Sequence, residues 1–162
     1  MKIWRSLLFV PANQERMLKK VNALPADGFI FDIEDTVPPE EKQNAREMSQ
    51  ACIAQVLGER SWVRINAISS GFIEEDIDFF TGTKGLAGFI VPKQDSAQDV
   101  AVVDRLITDA EKKKGIDEGS TPIIVMIESA NGVLDSRAVM KASARTQTMI
   151  YGGGEDGDMN VS

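Results

Sequence analysis

The chain has 162 residues, a length that predicts one domain with its own hydrophobic core. Hydrophobic residues make up 43% of it and charged residues 27%, a composition that is typical of a globular protein and excludes a fibrous or disordered chain. The formal net charge of -7 argues against nucleic acid or an anionic membrane surface as a general partner.

The single cysteine, Cys52, excludes a disulfide framework and favours a cytoplasmic location. The apolar stretch from Leu7 to Val10 is shorter than the core of a signal peptide, which needs about 7 residues or more. Nor does any apolar stretch reach the length of about 18 residues that crosses a bilayer. We therefore expect a cytoplasmic protein with no part in a membrane.

Short apolar segments of strand length recur along the chain. Each is almost continuously apolar, which is typical of a strand covered on both faces by other elements. In chain order, the expected strands are residues 4–10, 28–31, 62–65, 88–91, 123–127 and 148–151.

Helices are expected between these strands, where apolar residues recur every three or four positions. The first is capped by Asn13 and has Met17, Val21 and Leu24 on one face, and the second is opened by Pro38 and Pro39 and carries Ala45, Met48, Cys52 and Val56. The third places Ile73, Ile77 and Phe80 together. The fourth begins with Ser96 and Asp99, and the fifth runs from about Ser129 to Ala142.

Strict alternation of strand and helix predicts an α/β fold with parallel strands joined by right-handed crossovers. Two architectures have this pattern, a doubly wound sheet and a (β/α) barrel. The pattern alone does not choose between them. In both, functional side chains gather at the carboxyl ends of the strands.

Charged and polar residues do follow the apolar strands at that end. A buried charge costs several kcal/mol, roughly, unless it is paired or bound to a metal, so we expect these side chains to face one another. They are Asp32, Glu34 and Asp35 after the second strand, Arg64 and Asn66 on the third, Lys93 after the fourth, Glu128 after the fifth, and Glu155 and Asp156 after the sixth.

Two of these carboxylates, Glu128 and Asp156, can supply oxygen ligands to Mg²⁺, which would keep its other positions for water and substrate. The alternative for Glu128 is a carboxylate at the start of a helix, a place for which Ser129 competes. Glu34 and Asp35 would then accept hydrogen bonds from metal-bound water, or belong with Asp32 to an acidic helix start.

Arg64 suits a substrate carboxylate because its guanidinium offers two parallel donors, and the alternative is a structural ion pair with Glu34 or Asp35. Lys93 either attracts a carrier phosphate or is solvated. Gly154 would allow the backbone to approach a substrate carboxylate closely, next to Glu155. Histidine is absent, which excludes nucleophile systems and zinc sites that depend on it within these residues.

An ordered set of segments resembles the citrate lyase beta-subunit family and the related HpcH/HpaI metal-dependent aldolases, which include citryl-, malyl- and citramalyl-thioester lyases. The likeness covers nearly the whole chain. The segments are Arg5-Ser6-Leu7-Leu8-Phe9-Val10-Pro11, Phe31-Asp32-Ile33-Glu34-Asp35-Thr36-Val37 with Lys42 and Ala45-Arg46, Val63-Arg64-Ile65-Asn66, Val91-Pro92-Lys93, Ile127-Glu128-Ser129-Ala130 and Gly153-Gly154-Glu155-Asp156.

The resemblance implies a TIM (β/α) barrel with Mg²⁺ on Glu128 and Asp156, the substrate carboxylate on Arg64, and Glu34 and Asp35 in support. It also implies retro-Claisen cleavage of a 3-hydroxy acid thioester of coenzyme A or an acyl-carrier protein, giving an oxo acid and an acetyl thioester. Members of the family are commonly trimers, so a homo-oligomer is expected.

The chain departs from the family pattern in length, because a complete barrel has eight strands and six are visible here. We therefore expect residues 1–162 to form a single (β/α) barrel domain, truncated after about six βα units. Two other functions stay open: a metal-dependent aldolase of free 2-oxo acids, and a non-catalytic fragment or assembly subunit. A nucleotide-binding sheet is a more distant alternative.

Overall fold

The computed structural model of the chain describes residues 4–56 and 59–153. Strands and helices alternate through this part, as the apolar pattern predicts. The strands are β1 (Leu7–Pro11), β2 (Gly28–Asp32), β3 (Ser61–Arg64), β4 (Leu86–Val91), β5 (Ile123–Ile127) and β6 (Thr146–Tyr151), and the helices are α1 (Glu15–Leu18), α2 (Lys42–Ile53), α3 (Ile73–Phe80), α4 (Ala97–Lys114) and α5 (Ala130–Lys141).

The strands form one parallel sheet in the order β1-β2-β3-β4-β5-β6. Every crossover therefore steps to the next strand in the same direction, whereas a doubly wound sheet reverses direction at a switch point. Right-handed crossovers that all step one way place the helices on one face of the sheet. The strand order thus decides for an arc of a (β/α) barrel, which remains an open sheet over the described residues.

The sheet has a different apolar layer on each face. The larger layer fills the space between strands and helices, and a smaller one lies on the inner face of the arc around Ile30, Trp62, Ile90 and Ile124. Because side chains alternate along a strand, residues two positions further on share the inner face. This periodicity brings the charged residues at the strand ends to one place.

The expected strands are confirmed, and β5 matches at both ends. Two expectations are wrong. The first strand begins at Leu7, not at residue 4, and the outer strands are not covered on both faces, since Phe9 and Tyr151 are 40% and 53% exposed. Both lie on edge strands, which have a neighbour on one side only.

The helix capped by Ser96 is confirmed in detail. The Ser96 hydroxyl accepts a hydrogen bond from the Asp99 backbone N–H, and the Asp99 carboxylate accepts one from the Ser96 N–H. The helix ends at Gly115, which has a left-handed φ of 67°. The bounds of α4 could be predicted because both signals lie at the ends of the segment itself.

The first helix is shorter than its pattern predicts. α1 covers four residues and has Gln14 at its N-cap, while Asn13 donates from Nδ2 to Glu41 at 2.5 Å. Met17 is 47% exposed and does not face the core. The predicted cap is therefore wrong, because a tertiary hydrogen bond uses the Asn13 side chain.

Two further helix expectations need small corrections. The proline pair opens a short 3₁₀ turn, Pro39–Glu41, before α2 begins. Cys52, which the apolar spacing of this helix places toward the core, packs against the core but is only half-buried, with its Sγ 3.6 Å from the Leu18 carbonyl oxygen. Within the described ranges, no helix is both long and apolar enough to span a membrane.

Candidate active site

The register of β2 and β3 places Asp32 directly beside Arg64. The guanidinium donates from Nε to Oδ1 at 2.8 Å and from Nη2 to Oδ2 at 2.7 Å, so the pair is bidentate. Asp32 is fully buried, and the Phe9 ring covers the guanidinium with its centroid 5.1 Å from Cζ. A paired Arg64 was one of the two sequence interpretations, but its main partner is Asp32.

The remaining nitrogen of Arg64 faces the other two acids. Nη1 lies 3.2 Å from Glu34 Oε2 and 3.3 Å from Asp35 Oδ2. A substrate carboxylate would therefore meet the guanidinium at Nη1, and the clamp role stays a prediction. Asp35 is more than half exposed at this position, whereas Glu34 is buried.

Lys93 reaches the same acids from the end of β4. Its Nζ lies 3.1 Å from Glu34 Oε1 and 3.7 Å from Asp35 Oδ1. Burial raises the pKa of Glu34 to about 7, because Arg64 and Lys93 offset the loss of solvation only in part and Asp35 adds repulsion. Lys93 is thus ion-paired, and its role toward a carrier phosphate stays a prediction.

Glu128 follows β5 and is 8% exposed. Its Oε2 accepts a hydrogen bond from the backbone N–H of Lys93 at 2.9 Å, and burial raises the pKa of its carboxyl. The N-cap of α5 is Ser129, whose hydroxyl accepts from the Gly132 N–H at 3.0 Å. Ser129 thus takes the N-cap, Glu128 stands directly before it at the start of the helix, and the metal role of Glu128 stays a prediction.

Gly152 packs against the other side of the Glu128 side chain. A Cβ built at Gly152 would lie 2.7 Å from Glu128 Cγ, closer than real contacts allow. The Gly152 N–H donates to the Ile127 carbonyl at 2.9 Å and holds the chain there. This glycine lets β6 pass directly beside the carboxylate.

A cavity of about 440 Å³ opens beside Glu128 at the carboxyl ends of the strands. A cavity of about 550 Å³ lies at the opposite, amino end around Trp4 and Trp62, but the carboxylates described above do not reach it. We therefore assign the site to the smaller cavity. Its lining residues are Ala67, Ile68, Ser69, Lys93, Asp95, Asp99, Glu128 and Ser129.

Asp76 anchors the loop that lines this cavity, and this role was not predicted from the sequence. It is fully buried on α3; its Oδ2 accepts from the N–H and Nδ2 of Asn66 at 2.8 and 2.7 Å, and its Oδ1 accepts from Arg46 Nε at 2.7 Å. Asn66 begins the loop that lines the cavity. A signal was present, because Asp76 lies three residues after Ile73 on the apolar face of the helix.

We expect Asp76→Asn to lower the free energy of unfolding by about 1–3 kcal/mol, since it removes the charge that pairs with buried Arg46. Amide hydrogen exchange at residues 66–69 should become faster, because the loop loses its anchor. Glu74→Gln, an exposed change on the same helix, is the matched control. Equal effects of the two substitutions would contradict the anchoring role.

Several predicted site residues fall beyond the described part of the chain. Gly154, Glu155 and Asp156 lie outside it, so their expected roles stay predictions. Within residues 4–56 and 59–153, no group of three or more acidic, Cys or His side chains is arranged to hold a metal ion. The described chain ends at Gly153, three residues before Asp156.

The donor chemistry of the described residues fits a divalent cation. Four carboxylates, those of Asp32, Glu34, Asp35 and Glu128, converge with the two cations Arg64 and Lys93. Carboxylate oxygens are the ligands that Mg²⁺ prefers, and an added positive charge would offset the excess of acid. Of these four, Glu128 is the carboxylate that lies against Gly152, four residues before Asp156 in the sequence.

The model of the family described as HpcH/HpaI aldolase/citrate lyase matches residues 5–161. The chain belongs to this family. Its fold and the order of its strand-end residues agree with that assignment.

Curated relatives within the HpcH/HpaI family are about a third identical to the chain. The beta subunit of citrate lyase from Haemophilus influenzae is 35% identical over 147 residues, which are 90% of this chain and 50% of the relative. A (3S)-malyl-CoA thioesterase from Cereibacter sphaeroides is 34% identical over 151 residues, 92% of this chain and 48% of the relative. The chain therefore spans about half the length of these relatives.

Solved structures of similar fold are longer as well. The protein CitE from Mycobacterium tuberculosis, in complex with magnesium and acetoacetate, has a TM-score of 0.75 and 25% identity, over 99% of this chain and 59% of that one. A citrate lyase from Burkholderia xenovorans has a TM-score of 0.78 at 17% identity, over 94% of this chain and 49% of that one, and supports the fold alone.

Proposed function

We propose that the chain carries the metal and carboxylate part of a Mg²⁺-dependent carbon–carbon lyase that cleaves a 3-hydroxy acid thioester. The observation that carries the proposal is the meeting of Glu34, Arg64, Lys93 and Glu128 at the carboxyl ends of the strands, where Lys93 and Glu128 also line the cavity. Four strands supply these residues, all at the end where (β/α) barrels place their chemistry.

In this proposal Glu128 and Asp156 hold the Mg²⁺, which, when bound, polarises a carbonyl or hydroxyl oxygen of the substrate. Arg64 orients the substrate carboxylate through Nη1, and Asp32 keeps the guanidinium in place. Glu34 can hold a proton at its carboxyl near neutral pH, because its pKa is raised to about 7. These groups suit cleavage of the carbon–carbon bond next to the substrate hydroxyl, which must lose its proton for that bond to break.

The thioester carrier and the assembly are further parts of the proposal. The malyl-CoA thioesterase and citrate lyase relatives support a thioester substrate, of coenzyme A or of an acyl-carrier protein. A homo-oligomer, a trimer by the family resemblance, is the expected assembly. Sedimentation of the purified chain measures that state directly.

A magnesium titration by calorimetry tests the proposal. The unmodified chain should bind the ion, and Glu128→Ala combined with Asp156→Ala should abolish binding, because the pair supplies the protein ligands. Asp109→Asn on the exposed side of α4 is the control and should bind as the unmodified chain does. Unchanged Mg²⁺ binding by the double variant would contradict the assignment of Glu128 and Asp156 as the metal ligands.

The nearest alternative is an aldolase of free 2-oxo acids, since the family's description names an aldolase beside citrate lyase. Such an aldolase needs the same metal ligands but no thioester carrier. Cleavage assayed with and without the coenzyme A or carrier-protein moiety separates the two reactions. A non-catalytic subunit is the other alternative, since the chain spans about half of its relatives; lyase turnover by the purified chain of 162 residues would exclude it.

A further inference from the structure

We infer that Lys93 is a positioning residue that fixes the Glu128 carboxylate by holding its own backbone in a left-handed conformation. Its φ is 54°, the one positive value at a residue other than glycine in the described part of the chain. A side chain at such a φ is strained, so the surrounding structure must hold the residue there. The importance of Glu128 itself rests on the proposed function.

The left-handed turn explains how a backbone N–H reaches this carboxylate. In a parallel sheet, the N–H groups of a strand lie in the sheet plane and point at the neighbouring strand. Glu128 continues the inner-face alternation of β5, so its side chain stands off that plane. The turn at Lys93 directs its N–H to Glu128 Oε2 at 2.9 Å, while the next residue, Gln94, returns to the ladder by donating to the Met126 carbonyl at 3.1 Å.

The Glu128 side chain is held from two sides as a result. The Lys93 N–H binds one oxygen, and the Gly152 backbone lies so close that a Cβ there would be 2.7 Å from Glu128 Cγ. The carboxylate has little freedom to rotate between these two backbones. A metal ligand held in this way loses little conformational entropy when it binds an ion.

The Lys93 side chain explains why a glycine does not occupy this position. Its Nζ lies 3.1 Å from Glu34 Oε1, so the same residue joins the end of β4 to the end of β2 through its side chain and to Glu128 through its backbone. A glycine would adopt the left-handed φ without strain but would lose the ion pair. Lys93 therefore couples the two acidic groups of the site.

The first experiment separates backbone strain from side-chain charge by comparing Lys93→Gly with Lys93→Ala, which both lack the ammonium group. Lys93→Gly should unfold at a temperature about 2–4 °C higher, because glycine accepts the positive φ. It should also bind Mg²⁺ about threefold to tenfold more tightly than Lys93→Ala, because its backbone keeps, without strain, the turn that directs the N–H to Glu128. Equal melting temperatures, or weaker binding by Lys93→Gly, would overturn the inference.

The second experiment needs no metal and so separates this inference from the proposed function. Glu128→Ala should accelerate amide hydrogen exchange at Lys93 about tenfold or more, since the N–H loses its acceptor. The amide of Gln94, bonded to the ladder, is the internal control and should change little. Glu128→Gln, which keeps the volume, should give a smaller change in the same direction. Unchanged exchange at Lys93 in both variants would refute the inference, whereas failure of the unmodified chain to bind Mg²⁺ would refute the proposed function alone.

Discussion

Arg64→Ala is expected to lower the free energy of unfolding by about 3–5 kcal/mol, the cost of leaving a buried charge without its partner. Asp32 is fully buried and accepts two hydrogen bonds from the Arg64 guanidinium, besides one from the Glu34 backbone N–H. Burial alone would raise the pKa of Asp32, but the Arg64 guanidinium holds it below its usual value, so the carboxyl is charged at neutral pH. Without Arg64, the charge must be buried alone or take up a proton.

Urea unfolding at pH 7 measures this effect. Arg105→Ala on the exposed face of α4 is the control, with an expected change within about 0.5 kcal/mol. Arg64→Lys should fall between the two, because one ammonium cannot make the bidentate contact. If Arg64→Ala proved as stable as the control, the guanidinium would act toward substrate alone and the ion pair with Asp32 would carry no stability.

Glu111→Ala should be comparably destabilising, by about 3–5 kcal/mol, although it lies far along α4 from the site. Its buried carboxylate accepts from Arg145 Nη1 and Nη2 at 2.9 and 2.7 Å and from the N–H groups of Gly119 and Thr121, each at 2.8 Å. The substitution would remove the acceptor of two backbone donors and one of the two carboxylates that pair with the buried Arg145 guanidinium, leaving it with Asp104 alone. This network joins α4 to the amino ends of β5 and β6.

The same group predicts a pH dependence. Burial would raise the pKa of Glu111, but the hydrogen bonds from Arg145, Thr121 and Gly119 lower it to about 2, against an ordinary value of 4.5. A pKa that is lower in the folded state gives stability that is present above pH 4.5 and is lost as the pH falls toward 2. Glu34, whose pKa is raised to about 7, has the opposite effect: the stability that it contributes is lost as the pH rises from 4.5 to 7.

Urea unfolding of the unmodified chain and Glu111→Gln, measured below pH 4.5 to exclude the Glu34 effect, tests this dependence. The stability of the unmodified chain should fall more steeply with acid than that of the variant. Glu118→Gln, an exposed change on the turn after α4, is the control and should keep the steeper slope. Parallel slopes for all three proteins would contradict a depressed pKa at Glu111.

The sequence was sufficient to predict features that depend on local pattern. The Ser96 capping box and the bounds of β5 are set by residues next to one another, and so is the gathering of charge at the strand ends. The choice between a doubly wound sheet and a barrel arc needed the strand order, because both architectures have the same local pattern.

The main ion pair of the site, Arg64 with Asp32, could not be predicted, because it depends on register between strands. Asp32 and Arg64 are 32 residues apart and become neighbours only through the alignment of β2 with β3. The left-handed φ of Lys93 could not be predicted either, since lysine has no preference for that region and Glu128, which accepts the Lys93 N–H, follows another strand. Long-range contacts therefore decide the details that local signals leave open.

Mn²⁺ can replace the divalent ion that we propose between Glu128 and Asp156, and paramagnetic broadening of amide NMR signals then measures the position of the ion directly. Broadening should be strongest at Lys93, Gly152 and Gly153, should be weakest at the amino-end turn around Gly119, and should disappear in the Glu128→Ala, Asp156→Ala variant. Broadening centred away from Lys93 and Gly152, or broadening that persists in the variant, would show that Glu128 and Asp156 do not hold the ion.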